Sequence, residues 1–236
     1  MLSRAGILNL SWKRVGFHGL RGLIHGGGVM LWFLAMSRIP IAEVTALGFT
    51  TPIFATLGAA LFLNERFRSD RLVVILVGFL GALLILRPGF RVIDIGAFAQ
   101  LAAAPLFACS YLMVKSATQK ESSAMIVVLL SVFCTLTLAA PALWVWRPPV
   151  LHELVLLATT AMLATAGHYC MTRALAAAEV SAVQPFTFLQ LVWATLFGLI
   201  DERPDFWIWC GGAVIVGAAT WMARKEVRSL RSKSTP

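Results

Sequence analysis

The chain has 236 residues, of which 59% are hydrophobic and 13% are charged, with a formal net charge of +9. An average soluble domain is about 45–50% apolar and about 25% charged, so this composition excludes an ordinary water-soluble fold. Nucleic-acid binding is excluded as well, because the basic residues lie between apolar runs instead of clustering on a polar domain. The lipid bilayer is therefore the predicted partner, and no nucleic-acid partner is expected.

Eight apolar segments of roughly 15–22 residues suit helices that cross a hydrocarbon core about 30 Å thick. Barrel strands would alternate apolar and polar residues, and these segments do not. The sequence therefore predicts an all-α, polytopic transmembrane helix bundle of about eight helices. The segments are Leu20–Ser37, Val44–Leu63, Leu72–Leu86, Ile95–Val114, Met125–Trp146, Val155–Met171, Val180–Ile200 and Phe206–Met222.

Both termini are predicted to be cytoplasmic. Met1–Gly19 makes a poor signal peptide, because its short apolar part is followed at once by Lys13 and Arg14. The loops on one side of the membrane receive few basic residues, and those on the other side receive all the rest. Because cytoplasmic loops hold most of the positive charge, this split predicts an inner-membrane protein with both ends inside. The basic residues on the poor side are Arg38, Arg87, Arg91, Arg147 and Arg203.

One long stretch occurs twice, as Ala42–Arg66 and Ala178–Arg203. Both copies begin Ala-Glu-Val, contain Ala-Thr-Leu and end on an acidic residue followed by Arg. The first copy ends on the basic side of the membrane and the second on the poor side, so the two cross in opposite directions. Inverted repeats of this kind are common in secondary transporters, whose substrate site lies near the midplane between the halves.

Several motifs, taken in order, resemble the EamA family, a branch of the drug/metabolite transporter superfamily. They are Trp32–Pro40, Ala42–Ala46, Pro52, Leu63–Arg66, Gly167–Tyr169, Thr172–Leu175, Gln190–Ala194 and Asp201–Asp205.

The resemblance implies ten helices in two inverted repeats of five. This chain, with about three helices in 1–90 and five in 94–224, would lack the first two, and a basic tail follows at 225–236. The implied function is transport of a small organic metabolite by alternating access. A homodimer is one assembly considered for such a transporter. The Gln190–Ala194 stretch resembles the branch that carries large vitamins or nucleoside-like solutes.

Polar and bulky aromatic residues inside apolar segments are the candidates for substrate binding, because they are costly at membrane depth. The alternative is that Pro185 merely kinks its helix, that the glutamines and His168 bond to neighbouring helices, and that Arg173 reaches the interface. The candidates are Gln184, Phe188, Gln190 and Trp193 in the seventh segment, His168 and Tyr169 in the sixth, Tyr111 with Gln100 in the fourth, and Thr50 with Thr51 and Pro52 in the second.

Other motifs have structural interpretations. Glu43 and Glu179 are expected to cap helix starts, and Glu65 is expected to pair with Arg66 at the interface. The triplet at residues 26–28 is expected to allow close helix packing rather than to cradle phosphate, since no strand precedes it.

The histidines lack metal-ligand spacing, and no nucleophile–base pair is recognisable, so no catalytic residue, cofactor or metal is predicted. Two other functions stay open: a non-transporting or truncated membrane subunit, and an intramembrane enzyme that uses His168 or a carboxylate.

Overall fold

The computed structural model describes residues 11–39, 41–66, 68–86, 94–190 and 193, and then 206, 207, 209–211, 213, 214, 216–218, 220, 221, 224 and 225. Within these residues the chain forms helices joined by turns and contains no strand, which confirms the all-α class. The described residues from 206 onward are helical too. The helices before them are α1 (Trp12–Met36), α2 (Ile41–Gly48), α3 (Thr51–Phe62), α4 (Ser69–Leu86), α5 (Ile95–Ala117), α6 (Ser123–Trp144), α7 (Leu151–Ala177) and α8 (Val180–Thr187).

Four helices are long and apolar enough to cross a membrane. They are α1, α5, α6 and α7, with 25, 23, 22 and 27 residues. Their outward faces carry large apolar side chains that are more than half exposed, such as Leu136 and Leu163. Exposed apolar surface on this scale is stable in lipid and unstable in water.

Side-chain caps fix where two of these helices begin. The Asp94 carboxylate accepts a hydrogen bond from the Gly96 amide at 2.7 Å, at the start of α5. The Ser122 hydroxyl accepts one from the Met125 amide at 3.3 Å, at the start of α6. Such caps satisfy amides that lack a partner in the first helical turn, which matters most near lipid.

The second predicted segment is interrupted, since α2 ends at Gly48 and α3 begins at Thr51. Pro52 explains the break: it has no amide hydrogen, and in a continuous helix its ring would clash with the carbonyl of Gly48. At the break, the Thr50 hydroxyl donates to the Leu47 carbonyl at 2.7 Å. The same carbonyl also accepts from the Thr50 amide at 3.1 Å, so Thr50 bonds to the end of α2 through both its backbone and its side chain.

The second copy of the repeated stretch is interrupted in the same way. Helix α8 ends at Thr187, Phe188 lies in a turn, and the helix resumes at residues 189 and 190. The Thr187 hydroxyl donates to the Gln184 carbonyl at 2.7 Å, as Thr50 does to Leu47 in the first copy. In both copies a helix is therefore interrupted next to a threonine whose hydroxyl bonds to the carbonyl three residues earlier.

Helix α1 packs most extensively against α5 and α6, and glycines make this possible. A methyl group on Gly26 would lie 2.8 Å from Thr137 Cγ2, and one on Gly28 would lie 3.0 Å from the Phe107 ring. The predicted role of the glycine triplet in close helix packing is confirmed for these two positions. Small residues at membrane helix interfaces let backbones approach and replace the hydrophobic driving force that lipid does not supply.

The central core joins α3, α5, α6, α7 and α8. It is built largely from small residues, with alanines on both α3 and α5. Its fully buried members are Ala55, Ala59, Ala108, Val114, Ala117, Ile126, Leu175, Val180 and Val183.

Candidate functional site

A cavity of about 1030 Å³ lies between the two halves of the chain. Ligand sites in proteins commonly enclose about 300–1,000 Å³, so this volume suits one sizeable organic molecule. Its wall includes α1, α2 and α3 of the first half and α5, α7 and α8 of the second. Both interrupted helices contribute their broken ends, Phe49 and Thr51 from one and Thr187 and Leu189 from the other.

Most of the sequence-predicted residues meet at this cavity. Those in its wall are Tyr111, His168, Gln184, Gln190 and Trp193, together with Thr51, Pro52 and Gln100. The residues come from four separate stretches of chain, which supports the interpretation that each faces inward. Their contact with a substrate stays a prediction.

Phe188 lies behind the wall. Its side chain is only 1% exposed and stacks on Phe49, with ring centroids 4.6 Å apart and an interplanar angle of 27°. A methyl group on Gly78 of α4 would lie 3.0 Å from the Phe188 ring, so the glycine makes room for it. Phe188 is therefore placed to hold the two helix breaks together, and Phe49 is the ring that reaches the cavity.

Tyr169 and Thr50 also lie outside the lining. Tyr169 is 39% exposed, and Arg173 donates to its hydroxyl at 3.4 Å. Its neighbour His168 faces the cavity because adjacent helical residues point about 100° apart. Thr50 uses its hydroxyl on the Leu47 carbonyl, and it is the next residue, Thr51, that lines the cavity.

Two buried carboxamides are among the polar groups of the wall. Gln184 is 0% exposed, and neither its Oε1 nor its Nε2 has a hydrogen-bond partner among the described residues. Gln100 is 2% exposed, and its Oε1 is likewise without one. Buried polar atoms left unpaired cost about 1–3 kcal/mol each, so a ligand that pairs them recovers binding energy.

His25 is a site residue that the sequence analysis missed. It lines the cavity and is 6% exposed. Its ring lies 5.2 Å from the His168 ring and 5.3 Å from the Phe107 ring, both edge to face. The available signal was its spacing on α1, seven residues after the buried His18 and so on the same helix face.

The described lining residues include no Asp, Glu, Lys or Arg. Aromatic rings from several helices share the wall with the carboxamides: Trp32, Phe49, Phe107, Phe186 and Trp193. The site can therefore stack a flat ring system and hydrogen-bond its edges, but the described part offers no full charge to neutralise an ion.

The start of α8 is held by charged groups from the first half. The Glu65 carboxylate accepts from the Val180 amide at 2.6 Å, and from the Ser181 amide and hydroxyl at 3.2 and 2.9 Å. Arg71 donates to the Ser181 hydroxyl at 2.6 Å and also pairs with Glu179. The expected roles are thus exchanged: Glu65 caps the helix, while the Glu179 side chain makes no cap hydrogen bond.

Lys115 of α5 stabilises the junction between α7 and α8. Its ammonium group donates to the Leu175 carbonyl at 2.9 Å and to the Ala178 carbonyl at 2.7 Å. These carbonyls end α7, where helix dipoles favour a cation. The junction between α7 and α8 is therefore tied to α5 as well as to the first half.

Comparison with known proteins identifies the family. The model of the EamA-like transporter family matches residues 2–87 and 94–224. A riboflavin transporter of Brucella anthropi is 32% identical over 248 residues, covering 98% of this chain and 84% of that protein. A riboflavin transporter of Vibrio cholerae is 32% identical over 230 residues, covering 94% and 76%.

More distant relatives are also named as transporters. An S-adenosylmethionine uptake transporter of Rickettsia prowazekii is 26% identical over 226 residues, covering 95% of this chain and 77% of that protein. One crystal structure, 22% identical, superposes with a TM-score of 0.75 over 95% of this chain and 80% of the other, which shows the shared fold. The chain belongs to the EamA-like transporter family. It is a multi-pass membrane transporter of small metabolites.

Proposed function

We propose that this transporter carries an uncharged, flat heterocyclic metabolite of the riboflavin kind through the cavity by alternating access. The observation that carries the proposal is the composition of the wall, in which aromatic rings surround two buried carboxamides with unpaired polar atoms. A flat heterocycle with carbonyl and imide groups stacks on such rings, and its edges pair with the Gln100 and Gln184 amides.

The same wall disfavours a cationic metabolite. S-adenosylmethionine carries a sulfonium and an ammonium group, and a buried cation needs a carboxylate partner to offset its lost hydration. The described lining residues contain no carboxylate. Among the named substrates of the relatives, riboflavin is therefore the better match to this cavity.

Alternating access is supported by the arrangement of the two interrupted helices. Discontinuous helices at a repeat interface are a common way to build transporter sites, because freed backbone groups and mobile half-helices meet the substrate there. The ties from Glu65, Arg71 and Lys115 secure the end at the α7–α8 junction. Opening the cavity at that end would require these contacts to break.

Reconstitution tests the proposal directly. The purified full chain in lipid vesicles is expected to exchange radiolabelled riboflavin in a saturable way and to leave S-adenosylmethionine outside, with protein-free vesicles as the control. Movement of S-adenosylmethionine without riboflavin would contradict the substrate class. Failure to move either compound would instead favour a non-transporting subunit or an intramembrane enzyme.

Trp193 is the residue with which to test the cavity itself. Replacing Trp193 by Ala is expected to weaken riboflavin affinity by about 1–3 kcal/mol, the usual range for losing one aromatic stacking contact. Since Trp193 is 62% exposed, the melting temperature is expected to stay unchanged. Trp12→Ala is the matched control, because Trp12 is 90% exposed and does not line the cavity. Unchanged affinity with a lowered melting temperature would remove Trp193 from the site.

We also propose the finer features of topology. Both termini lie in the cytoplasm of a bacterial inner membrane, the chain divides into 1–90, 94–224 and a basic tail at 225–236, and the protein has no enzymatic activity. The supporting observation for orientation is the excess of Lys and Arg in alternate loops. Reporter fusions at Met1 and Pro236 would test it, and an external signal from either would refute it. A homodimer stays a prediction.

A further inference from the structure

Two histidines meet in the cavity wall from helices that otherwise have little contact. His25 of α1 and His168 of α7 place their ring centroids 5.2 Å apart, edge to face. Both line the cavity, His25 as a buried residue and His168 half-buried. Ionisable residues at membrane depth are costly, and in transporters histidine and carboxylate groups there commonly carry protons.

The pair has room for one proton and one new hydrogen bond. His25 Nδ1 is buried and has no hydrogen-bond partner among the described residues. A neutral imidazole offers one donor and one acceptor, whereas the protonated ring offers two donors. At a centroid separation of 5.2 Å, a proton on one ring repels a second proton on the other.

Nothing described around the pair stabilises that proton in the empty cavity. The described wall has no carboxylate, and its ionisable members besides the pair are Tyr111 of α5 and Cys170 of α7. Cys134 is the one ionisable residue of α6, and α3 and α8 have none. The nearest charged residue on α7 is Arg173, one turn after His168, which is itself a cation.

Arg21 adds a second, buried cation on the α1 side. It lies one turn before His25, is 2% exposed, and donates to the Ser110 hydroxyl at 3.4 Å and to the Ile126 carbonyl at 3.1 Å. Its hydrogen-bond partners are neutral, and although the Glu121 carboxylate offsets part of its charge, Arg21 acts electrostatically on both histidines. Like charges in a low-dielectric site disfavour a further positive charge.

A bound ligand changes this balance. Carbonyl oxygens and ring nitrogens accept hydrogen bonds, and a protonated imidazole donates stronger ones than a neutral imidazole. The ligand therefore favours the proton, and by thermodynamic reciprocity the proton favours the ligand by the same factor. Arg21 meanwhile opposes passage of a proton through the cavity without a ligand.

From these contacts we propose that the His25–His168 pair is the coupling site of the transporter and binds one proton that crosses the membrane together with the substrate. The proposal rests on the proposed transport function and adds its driving force. The proton enters an imidazole nitrogen when the substrate binds and leaves that nitrogen when the substrate leaves on the other side, so no other reactant is needed.

Riboflavin movement in vesicles separates this proposal from the transport function. Exchange at equal pH on both faces reports transport alone, and accumulation under an imposed pH gradient reports coupling. With one proton per riboflavin, accumulation is expected to approach about tenfold for each pH unit of gradient, since one unit is a tenfold ratio of proton activity. Exchange that ignores the gradient would overturn the coupling site and leave the transport function standing. Absence of exchange would overturn the transport function and this proposal together.

Substitutions at the pair complete the test. For His25→Gln and His168→Gln the measured quantity is the ratio of uptake with the gradient to uptake without it, taken within each variant. The ratio is expected to fall to about one in both, because glutamine keeps hydrogen bonding and cannot take up the proton. His152→Gln is the control, since His152 is exposed near the start of α7 and is expected to keep the full ratio. Should either variant of the pair fail to insert, the other decides. A gradient response equal to that of the unmodified chain would refute the assignment.

Discussion

Helices α1 and α7 occupy equivalent places, since each directly precedes a copy of the repeated stretch, yet their surroundings differ completely. Their mean hydropathies are close, 1.2 and 1.4. In the most apolar window of α1, 33% of the residues are buried, and in that of α7 the share is 0%. Composition therefore does not decide how much of a helix is buried, and the extent of its packing against neighbouring helices does.

The cause lies in the packing partners. Helix α1 packs on one side against α5 and α6, whose side chains close over Gly22, Gly26 and Gly28. Among the described residues, helix α7 has a single substantial neighbour, α6, and smaller contacts with α5 and α8. A methyl group on Gly167 of α7 would meet nothing within 4 Å.

The polar side chains of α1 and α7 also differ in burial. Helix α1 buries His18, Arg21 and His25 against its partners. On α7 the exposed hydroxyls of Thr159 and Thr165 donate to carbonyls one turn earlier, Val155 at 2.8 Å and Ala161 at 2.7 Å. Hydroxyl groups that face lipid must be satisfied within their own helix, because lipid offers no hydrogen bonds.

Among the substitutions compared, those of the arginines are expected to differ most between α1 and α7 in their effect on the free energy of unfolding. Replacing Arg21 by Ala leaves a void and removes the side-chain hydrogen bonds to Ser110 and the Ile126 carbonyl, and is expected to cost about 2–4 kcal/mol of unfolding free energy. Replacing the exposed Arg173 by Ala is expected to change it by less than about 0.5 kcal/mol. Denaturation of both variants in mild detergent gives the two values, and similar losses would show that exposure does not separate the helices.

Replacing a glycine by alanine is expected to lower the stability of the protein on α1 and to raise it on α7. In Gly22→Ala the new methyl group would collide with the Phe133 side chain and backbone, at a cost of about 1–3 kcal/mol for overpacking. In Gly167→Ala it would meet open space, and the better helix propensity of alanine should stabilise by about 0.5–1 kcal/mol. Melting temperatures should therefore shift down in one variant and up in the other, and a loss in both would contradict the account.

The carboxylates near the two helix starts give the smallest expected effect. Glu121, whose side chain is 7% exposed, lies 2.9 Å from Arg14 Nε and 2.9 Å from His18 Nε2. Glu121→Gln is expected to cost about 1 kcal/mol, because the carboxylate that accepts from both Arg14 and His18 becomes a neutral amide with a single acceptor oxygen. Glu153 on α7 pairs with the exposed Arg147, so Glu153→Gln should lower the melting temperature little. A larger loss in the α7 variant would reverse the ranking.

Much of the fold was predictable because lipid imposes simple rules. Long apolar runs with charged ends predicted helices, and the structure confirms the all-α class with its membrane-spanning helices. The break between α2 and α3 was also within reach, since Pro52 forbids a continuous helix at that point. The packing of α1 was not predictable beyond its glycines, because the sequence does not state which helices meet.

The cavity was predicted in part for the same reason. Gln184 and Trp193 were identified from their cost in lipid, and both line the wall. Phe188 was not separable from them, since its position behind the wall depends on Phe49, which is distant in sequence. His25 was missed because its partner His168 also lies far along the chain.

The stacked rings of Phe49 and Phe188 form a direct contact between the two interrupted helices. At each break the backbone lacks the regular helical hydrogen bonds that resist bending, so each break is the softest point of its helix. Stacked aromatic faces can turn against each other, whereas pulling them apart exposes both. A tilt of the helix at one break is therefore expected to move the helix at the other break through this ring contact.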